Sequence, residues 1–388
     1  MVIRRVESVM DDRKEQSMAT VVARIDSTRK VALEEVVPLS TPFSAHIDVC
    51  SVCNFKCSFC FQADNAGMKA ANLKRGMMPM ALFRKIVDDL AQFDTKMKKV
   101  KIGNHGEPTL HPDLPEMIGY VRDRNIAQTI ELFTNASKLE PILNERLVDA
   151  GLQQINISLE GLTSERYKEV AGVAMDMERL VENIRHLYTI RRQCRIYIKI
   201  VDQTSSLSPD KDVPHVMSES ERRQFFETYS GICDEIYVEK VVPQWARTQF
   251  EKQNKVGSEG MYGQKIRSYK EICPFVFMYL HFNWDGTTSP CTLDWPKKVV
   301  IGNVYQQSVH EIWNGLRLRQ LQQMMLDGQR HRVDFCNDCS APMVCCNEDL
   351  DEHAASIEKR LVRLSDSEKQ ENPWRISSER SATIITQP

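Results

Sequence analysis

Between residues 44 and 240, short apolar segments alternate with longer amphipathic segments. Segments rich in β-branched residues, such as KKVKIG (98–103) and RIYIKIV (195–201), predict β-strands. The segments between them, such as PMALFRKIVDDLAQF (79–93), carry apolar residues on one helical face and predict helices. About six strand–helix units in succession predict an α/β fold, with a parallel sheet under a helical cover that is open or closed into part of a barrel.

The alternation ends after Val241, and the rest of the chain has a different pattern. Residues 242–272 are irregular, FMYLHFNWDGTTSPC (277–291) predicts a hairpin that turns at WDG, and SVHEIWNGLRLRQLQQMML (308–326) predicts one helix. We therefore expect four parts: a loose polar extension at 1–40, a core domain at 41–241, a small cysteine-rich domain at 242–350, and a polar tail at 351–388 that is loose from about 366.

Composition excludes several classes of protein. The chain has 388 residues, 42% of them hydrophobic, and a formal net charge of −2, which is typical of a soluble globular protein and gives no reason to expect nucleic acid as the main partner. Its apolar runs are too short to cross a membrane, and MVIRRVESVMDDRKEQ at the N-terminus lacks the apolar core of a signal peptide. We therefore expect a cytoplasmic protein whose twelve cysteines are metal ligands or catalytic thiols rather than disulfides.

Four of these cysteines, Cys50, Cys53, Cys57 and Cys60, lie within eleven positions directly after the first predicted strand. Structural zinc usually takes four ligands in closely spaced pairs, whereas a cubane iron–sulfur cluster takes one thiolate per iron. Three thiolates from Cys53-x3-Cys57-x2-Cys60 would leave one iron open. A structural zinc loop with Cys50 as the fourth ligand is the alternative.

The loop has an aromatic residue, Phe59, before its last cysteine, and it resembles the C-x3-C-x-aromatic-C loop of the radical S-adenosylmethionine (SAM) superfamily. Three further stretches extend the resemblance over residues 45–240: GNHGEPTLHPDL (103–114), FTNAS (133–137) and ISLEG (157–161). His105 and Ala136 depart from the family pattern, because each stands where the family has glycine. The resemblance implies a partial (β/α)6 barrel resembling a TIM barrel and a [4Fe-4S] cluster held by Cys53, Cys57 and Cys60.

The resemblance also implies which residues bind SAM. These are Phe59, Gly106, Glu107, Asn135, Ser158 and Glu160. Gly106 would let the backbone approach the ligand closely, and Glu107 would accept a hydrogen bond from the SAM ammonium. Ser158 and Glu160 would contact the methionine carboxylate or the ribose hydroxyls. A helix-capping role is the alternative for an isolated Asn or Ser at the end of a strand.

The C-terminal cysteines resemble a SPASM/Twitch extension, which carries auxiliary iron–sulfur clusters. Only six cysteines are present there, fewer than two clusters need. The resemblance implies one auxiliary [4Fe-4S] cluster on Cys273, Cys291, Cys336 and Cys339, with a zinc site as the alternative. Cys345 and Cys346 are then spare thiols. Three other cysteines are expected to be buried structural thiols: Cys50, Cys194 and Cys233.

The resemblance implies an enzyme that reductively cleaves SAM to a 5′-deoxyadenosyl radical and abstracts hydrogen from a small polar metabolite of sugar or aminocyclitol type. A low-potential donor such as flavodoxin or ferredoxin would supply the electron. The outcome would be dehydrogenation, or epimerisation with Cys345 or Cys346 as hydrogen donor. Maturation of a ribosomal peptide is the enzyme alternative, and a zinc-stabilised scaffold the non-enzyme one. Four residues with polar side chains are assigned capping, surface or core roles: His105, His111, Lys199 and Trp284.

Overall fold

The computed structural model describes residues 18–25, 31–204, 215–254, 256–266, 269–361, 364–365, 367–368 and 373–374. The strands in these ranges are β1 Thr20–Val21, β2 Ser44–Ile47, β3 Met97–Ile102, β4 Ala127–Thr134, β5 Gln154–Leu159, β6 Arg195–Val201, β7 Gln203–Thr204, β8 His215–Val216, β9 Glu235–Glu239, β10 Tyr279–Phe282, β11 Thr287–Ser289 and β12 Gly302–Asn303. The helices are α1 Leu33–Val36, α2 Asn65–Ala70, α3 Met80–Leu90, α4 Leu114–Arg124, α5 Pro141–Asp149, α6 Ser164–Ala171, α7 Met177–Ile190, α8 Glu219–Tyr229, α9 Gln249–Gln253, α10 Val309–Trp313, α11 Leu316–Leu326, α12 Ala341–Val344 and α13 Ala354–Glu358.

Ten strands form one sheet in the order β1-β9-β6-β5-β4-β3-β2-β10-β11-β12. The run from β2 to β9 is parallel, and each strand lies beside the one before it in the alternating series. This order confirms the predicted parallel α/β sheet and its partial, barrel-like form. The carboxyl ends of these strands meet at one edge, where the loops that follow them can build a site.

The helices cover the sheet because each has one apolar face, and this face packs against the strands. The apolar residues have the spacing that the sequence pattern predicted. Helix α3 begins after Pro79 and buries Leu82, Ile86 and Leu90. Helix α8 begins with a capping box in which Ser218 and Glu221 bond each other's backbone N–H groups, so its first turn is satisfied without tertiary contacts. No helix in the described ranges has the length and apolar character needed to span a bilayer.

The N-terminal segment is not the loose extension that its composition predicted, where the structure describes it. Strand β1 pairs parallel with β9 at the edge of the sheet, and Leu33 and Val37 are buried in the core. The polar composition did not predict this strand. A short strand at a sheet edge is held mainly by backbone hydrogen bonds, which do not require apolar side chains. Residues 1–17 and 26–30 lie outside the described ranges.

The predicted hairpin is confirmed, and it extends the core sheet. Strands β10 and β11 pair antiparallel across a turn in which the Gly286 N–H donates to the backbone carbonyl of Asn283 at 2.9 Å. Gly286 has φ +82, a value that glycine adopts without strain. Strand β10 pairs parallel with β2, so the C-terminal cysteine-rich region and the core share one sheet. The boundary at 241 stays a prediction.

The single helix predicted over 308–326 is wrong, because the structure has two helices there. They meet at Gly315, which has extended backbone angles and caps α11. Residues 242–272 also contain a helix, α9, that their irregular pattern did not predict. In the tail, Trp374 is buried and its Nε1 donates to the Arg317 carbonyl, so the tail is not loose at that point.

Candidate active site

The cysteine loop follows β2 and faces a cavity of about 430 Å³ at the carboxyl edge of the sheet. Cys53, Cys57 and Cys60 all line this cavity and are free thiols of intermediate exposure. The Phe55 N–H donates to the Cys53 sulfur at 3.4 Å, and the Gln62 N–H donates to the Cys60 sulfur at 3.5 Å. Backbone N–H groups aimed at sulfur favour thiolates, so the donor set fits an iron–sulfur cluster.

The protonation of these thiols points the same way. Burial raises the pKa of Cys60 to about 12 and that of Cys57 well above the ordinary range. Without a bound cation, the loop thiols would stay neutral at physiological pH. Iron in the cavity would hold them as thiolates and release their protons.

The structure brings every predicted SAM-binding residue to the same cavity. The shared lining comprises Phe59, Gly106, Glu107, Asn135, Ser158 and Glu160. These residues come from the loop and from the ends of β3, β4 and β5, as the order of the motifs predicted. Their individual contacts to SAM stay predictions.

Gly106 packs against protein backbone, and its close approach to the ligand stays a prediction. A Cβ at this position would lie 2.3 Å from the Cys50 carbonyl oxygen and 2.8 Å from that of Val52. The Glu107 N–H donates to the same Val52 oxygen at 2.9 Å. Glycine is therefore needed here because the segment after β3 crosses the cysteine loop at close range.

The Glu107 carboxylate connects the ends of β3 and β4. It accepts hydrogen bonds from the hydroxyl groups of Thr109 and Thr134 at 2.6 and 2.7 Å, and from the Asn135 N–H at 2.8 Å. Burial raises its pKa. Oε2 accepts only the Asn135 bond among the described residues, which leaves a lone pair for the predicted bond to the SAM ammonium.

Asn135 links β4 to the cysteine loop, because its Nδ2 donates to Asn54 at 3.0 Å. The next residue, Ala136, has φ +60, a left-handed conformation that favours glycine. Ala136 stands where the radical SAM pattern has glycine, and its backbone keeps the left-handed conformation that glycine would adopt.

Glu160 offers an unused acceptor to a ligand. It is 6% exposed, its Oε2 is buried, and this oxygen has no hydrogen-bond partner among the described residues. Burial raises its pKa. A ribose hydroxyl or an ammonium group would satisfy this oxygen, so the residue fits its predicted role in binding SAM.

The second set of cysteines does not line the cavity. Cys273 and Cys339 are buried, while Cys291 and Cys336 are of intermediate exposure. Burial raises the pKa of Cys291 and Cys336 well above the ordinary range, and the neighbouring Cys273 and Cys339 thiols raise it further. Cys291 and Cys336 are thus both influenced by Cys273 and Cys339, which is consistent with the predicted auxiliary iron–sulfur site on these four thiols.

This second set is held by Arg330, a fully buried side chain. Its Nη1 donates to the carbonyls of Cys336 and Cys339 at 2.9 and 3.0 Å, and its Nε donates to the backbone carbonyl of Lys270 at 2.8 Å. The guanidinium also lies 4.0 Å from the centre of the Tyr269 ring. Sequence reasoning missed Arg330, because arginine in a polar stretch (GQRHR) is usually exposed.

Cys345 and Cys346 line the main cavity, unlike the four cysteines of the second set. The Cys345 thiol donates to the Gln244 side-chain oxygen at 3.7 Å, and the Cys346 thiol donates to Glu348 at 2.8 Å. The cavity lining therefore contains two thiols in addition to those of the cysteine loop. Cys50, Cys194 and Cys233 are buried in the core, as predicted.

Lys199 is one of the four residues that were assigned capping, surface or core roles, but it lies at the site. It lines the cavity and its Nζ lies 2.5 Å from Glu239. His105 is buried between Asp48 and the Thr292 carbonyl, and His111 bonds the Met78 carbonyl at 3.0 Å, so these contacts fit structural roles for both. Trp284 does not line this cavity.

Four further residues of the cavity wall were missed from the sequence: Arg24, His46, Lys101 and Tyr262. A signal was available for Lys101. Parallel strands covered on both faces are usually apolar throughout, so a lysine inside KKVKIG indicated a polar interior. Arg24 and Tyr262 come from the N-terminal segment and the irregular region, where the sequence carried no comparable signal.

Comparisons with known proteins agree with this geometry. Residues 47–201 match the family model of the radical SAM superfamily, and residues 273–340 match that of the SPASM iron–sulfur cluster-binding domain. The chain is 38% identical over 138 residues to a probable GTP 3′,8-cyclase of Metallosphaera sedula, which covers 34% of this chain and 39% of that protein. It is 35% identical over 144 residues to a probable GTP 3′,8-cyclase of Methanocaldococcus jannaschii, covering 37% and 44%.

The matched region spans less than half the length of these relatives. Among solved structures, Streptococcus suis SuiB bound to its precursor peptide SuiA is similar, with a TM-score of 0.56 and 16% identity over 82% of this chain and 74% of that one. At this identity the likeness concerns the fold. The chain therefore contains a radical SAM domain followed by a C-terminal SPASM domain, and these two domains imply SAM and [4Fe-4S] clusters as its cofactors.

Proposed function

We propose that this protein is a radical SAM epimerase of a small polar metabolite, in which a cavity thiol returns a hydrogen atom to the substrate. The observation that carries the proposal is the shared cavity: Cys345 and Cys346 line the same space as Cys53, Cys57 and Cys60. Hydrogen can therefore be removed and returned within one cavity.

When bound and reduced by a low-potential donor such as flavodoxin or ferredoxin, the cluster and SAM supply the radical that removes a hydrogen atom from a substrate carbon. The chain's own residues orient both reactants. We expect the cysteine loop, Glu107 and Glu160, which all line the cavity, to hold the cofactors. The aromatic walls, which include Phe133 and Trp245, limit the entry of water that would quench a carbon radical.

Both spare thiols are chemically suited to hydrogen-atom donation. Burial raises the pKa of Cys345 and of Cys346, so each keeps its S–H bond at physiological pH. Donation breaks that S–H bond, forms the substrate C–H bond and leaves a sulfur-centred radical. One electron and one proton from the external reductant then restore the thiol.

Dehydrogenation is the second candidate, and the position of the second cysteine set favours it. Thr292 and Leu293, next to Cys291, line the cavity wall. A cluster on Cys273, Cys291, Cys336 and Cys339 would therefore lie directly behind the substrate. It could accept the surplus electron of a substrate radical while a base took the proton.

The test compares Cys345→Ala and Cys346→Ala with the wild type in deuterated water. Substrates are sought among small polar metabolites that accelerate 5′-deoxyadenosine formation by the reconstituted enzyme. Epimerisation predicts one solvent deuterium in the wild-type product. It also predicts that one variant consumes SAM and substrate without giving inverted product.

Cys194→Ala is the matched control, because this thiol is buried in the core outside the cavity. Its product should match that of the wild type. An oxidised product without deuterium, made equally by both cavity variants, would establish dehydrogenation instead.

A further inference from the structure

A layer of charged side chains lies below the cofactor-binding rim of the cavity. His46, Lys101 and Glu131 are direct neighbours in register on β2, β3 and β4. Lys101 precedes Gly103 on the rim by two residues, which places it about 7 Å deeper along the strand. Charged residues inside a parallel sheet are costly unless they are paired, so this layer requires an explanation.

Most of these charges are paired. Lys99 forms an ion pair with Glu131, and Lys199 forms one with Glu239. The Lys101 side chain, however, makes no hydrogen bond or ion pair with any residue in the described part of the chain, and Lys101 lines the cavity. The one carboxylate beside it on the next strand, Glu131, is already bound by Lys99.

Arg24 adds a second cation to the same wall. Its guanidinium donates to the Tyr262 hydroxyl and lies 5.3 and 5.5 Å from the centres of the Phe133 and Tyr262 rings. No carboxylate among the described residues forms an ion pair with it. Aromatic contacts hold Arg24 in place while leaving its charge without a direct counter-ion.

The two cations line one buried wall, and the charge of Arg24 disfavours the charged form of Lys101. Burial lowers the pKa of Lys101 most strongly, Glu131 opposes this, and with the smaller lowering effects of Arg24 and Lys99 the pKa falls to about 7. An anion between Lys101 and Arg24 would remove this conflict, because each cation would gain a charge-assisted hydrogen bond.

We propose that the substrate carries an anionic group, a carboxylate or a phosphate, which Lys101 and Arg24 bind below the reacting carbon. This inference rests on the proposed function and deepens it, because it names the class of metabolite. A neutral sugar or aminocyclitol would leave both cations unpaired. Lys101 is a specificity-determining residue in this arrangement, and it anchors the substrate about 7 Å from the rim.

The test is a calorimetric titration of the reconstituted, SAM-bound protein with inorganic phosphate and, separately, with acetate. Lys101→Met removes the charge and keeps the apolar stem. It should weaken anion binding by about 10- to 100-fold, the loss expected for one charge-assisted hydrogen bond. Lys101→Arg should retain most of the affinity, which guards against a variant that merely folds badly.

Lys98→Met is the matched control, because Lys98 is exposed on the opposite face of the same strand. It should bind anions as the wild type does. Saturable binding of phosphate alone identifies a phosphorylated substrate, and binding of acetate alone identifies a carboxylate.

The proposal is overturned if neither anion binds below about 10 mM, or if Lys101→Met binds as tightly as Lys98→Met. The titration involves no turnover. Its failure is thus distinguishable from failure of the proposed epimerisation, which only the deuterium experiment tests.

Discussion

The two cysteine sets of this protein are built in different ways. Cys53, Cys57 and Cys60 lie on one loop, so the chain itself keeps them within a few residues of each other. Cys273, Cys291 and the Cys336–Cys339 pair come from three distant segments. The loop set lines the cavity, whereas the four cysteines of the second set do not. The first set depends on local backbone packing, and the second depends on tertiary contacts.

Their supports differ accordingly. The loop is held by the close backbone approach at Gly106, where no side chain fits. The second set is held by the buried charge of Arg330, which bonds the carbonyls of Cys336 and Cys339. Each cysteine set should therefore lose its iron for a different structural reason. Separate substitutions at the two sets can test this.

The largest effect should come from removing the ligands. Cys53, Cys57 and Cys60 changed together to Ala should lower bound iron from about eight to about four per chain and abolish SAM cleavage. Cys336 and Cys339 changed to Ala should also leave about four iron but retain SAM cleavage without substrate. Iron and sulfide analysis after anaerobic reconstitution measures both. Stoichiometric zinc in place of iron would contradict the assignment of both sets.

Gly106→Ala should damage the loop set alone. The added Cβ would lie 2.3 Å from the Cys50 carbonyl oxygen, so the loop must move, at a cost of about 1–3 kcal/mol. Iron at the loop and SAM binding should fall, while iron at the second set stays. Gly119→Ala, in helix α4, has only a distant neighbour at 3.9 Å and should leave both iron sites and stability intact. Equal iron loss in both glycine variants would refute the argument from close packing.

Arg330→Met should damage the second set alone. Three backbone carbonyls would lose a charged donor in a buried site, which we expect to lower the free energy of unfolding by about 3 kcal/mol. Iron at the second set should fall while uncoupled SAM cleavage continues. Arg332→Met, at an exposed position two residues away, is the control. Unchanged iron content in Arg330→Met would show that the cysteines organise the region without it.

The smallest effect concerns His105, which connects the two regions. Its Nδ1 lies 3.0 Å from Asp48, and its Nε2 lies 2.5 Å from the Thr292 carbonyl beside Cys291. Burial alone would lower the pKa of His105, but Asp48 outweighs it and the pKa is raised. The stability from this pair is therefore fully present below about pH 6.5 and is lost as pH rises through the raised pKa.

Thermal unfolding of the wild type and of His105→Gln over roughly pH 6 to 9 measures this contribution. The melting temperature of the wild type should fall towards that of the variant as pH rises. His310→Gln, at an exposed position, should keep the wild-type pH dependence. A constant difference between wild type and His105→Gln across this range would refute the charged form of His105.

The sequence alone determined the features that depend on neighbouring residues. The spacing of Cys53, Cys57 and Cys60, the succession of parallel strands and the turn at Gly286 are local patterns, and the structure has the parallel strands and the turn where they were predicted. The shared lining by Glu107, Asn135 and Glu160 also followed, because the ends of successive parallel strands meet at one edge of a sheet.

Only the tertiary structure decided the features that join distant segments. The pairing of β10 with β2, the addition of β1 at the sheet edge and the burial of Arg330 each depend on contacts that no local pattern encodes. The same holds for the cavity, where Arg24, Lys101 and Cys345 come together from three separate parts of the chain. The cysteine loop and the strand order follow from the spacing of residues that are close in sequence. The charge balance of the cavity depends instead on side chains from distant segments, which interact only after the fold has brought them together.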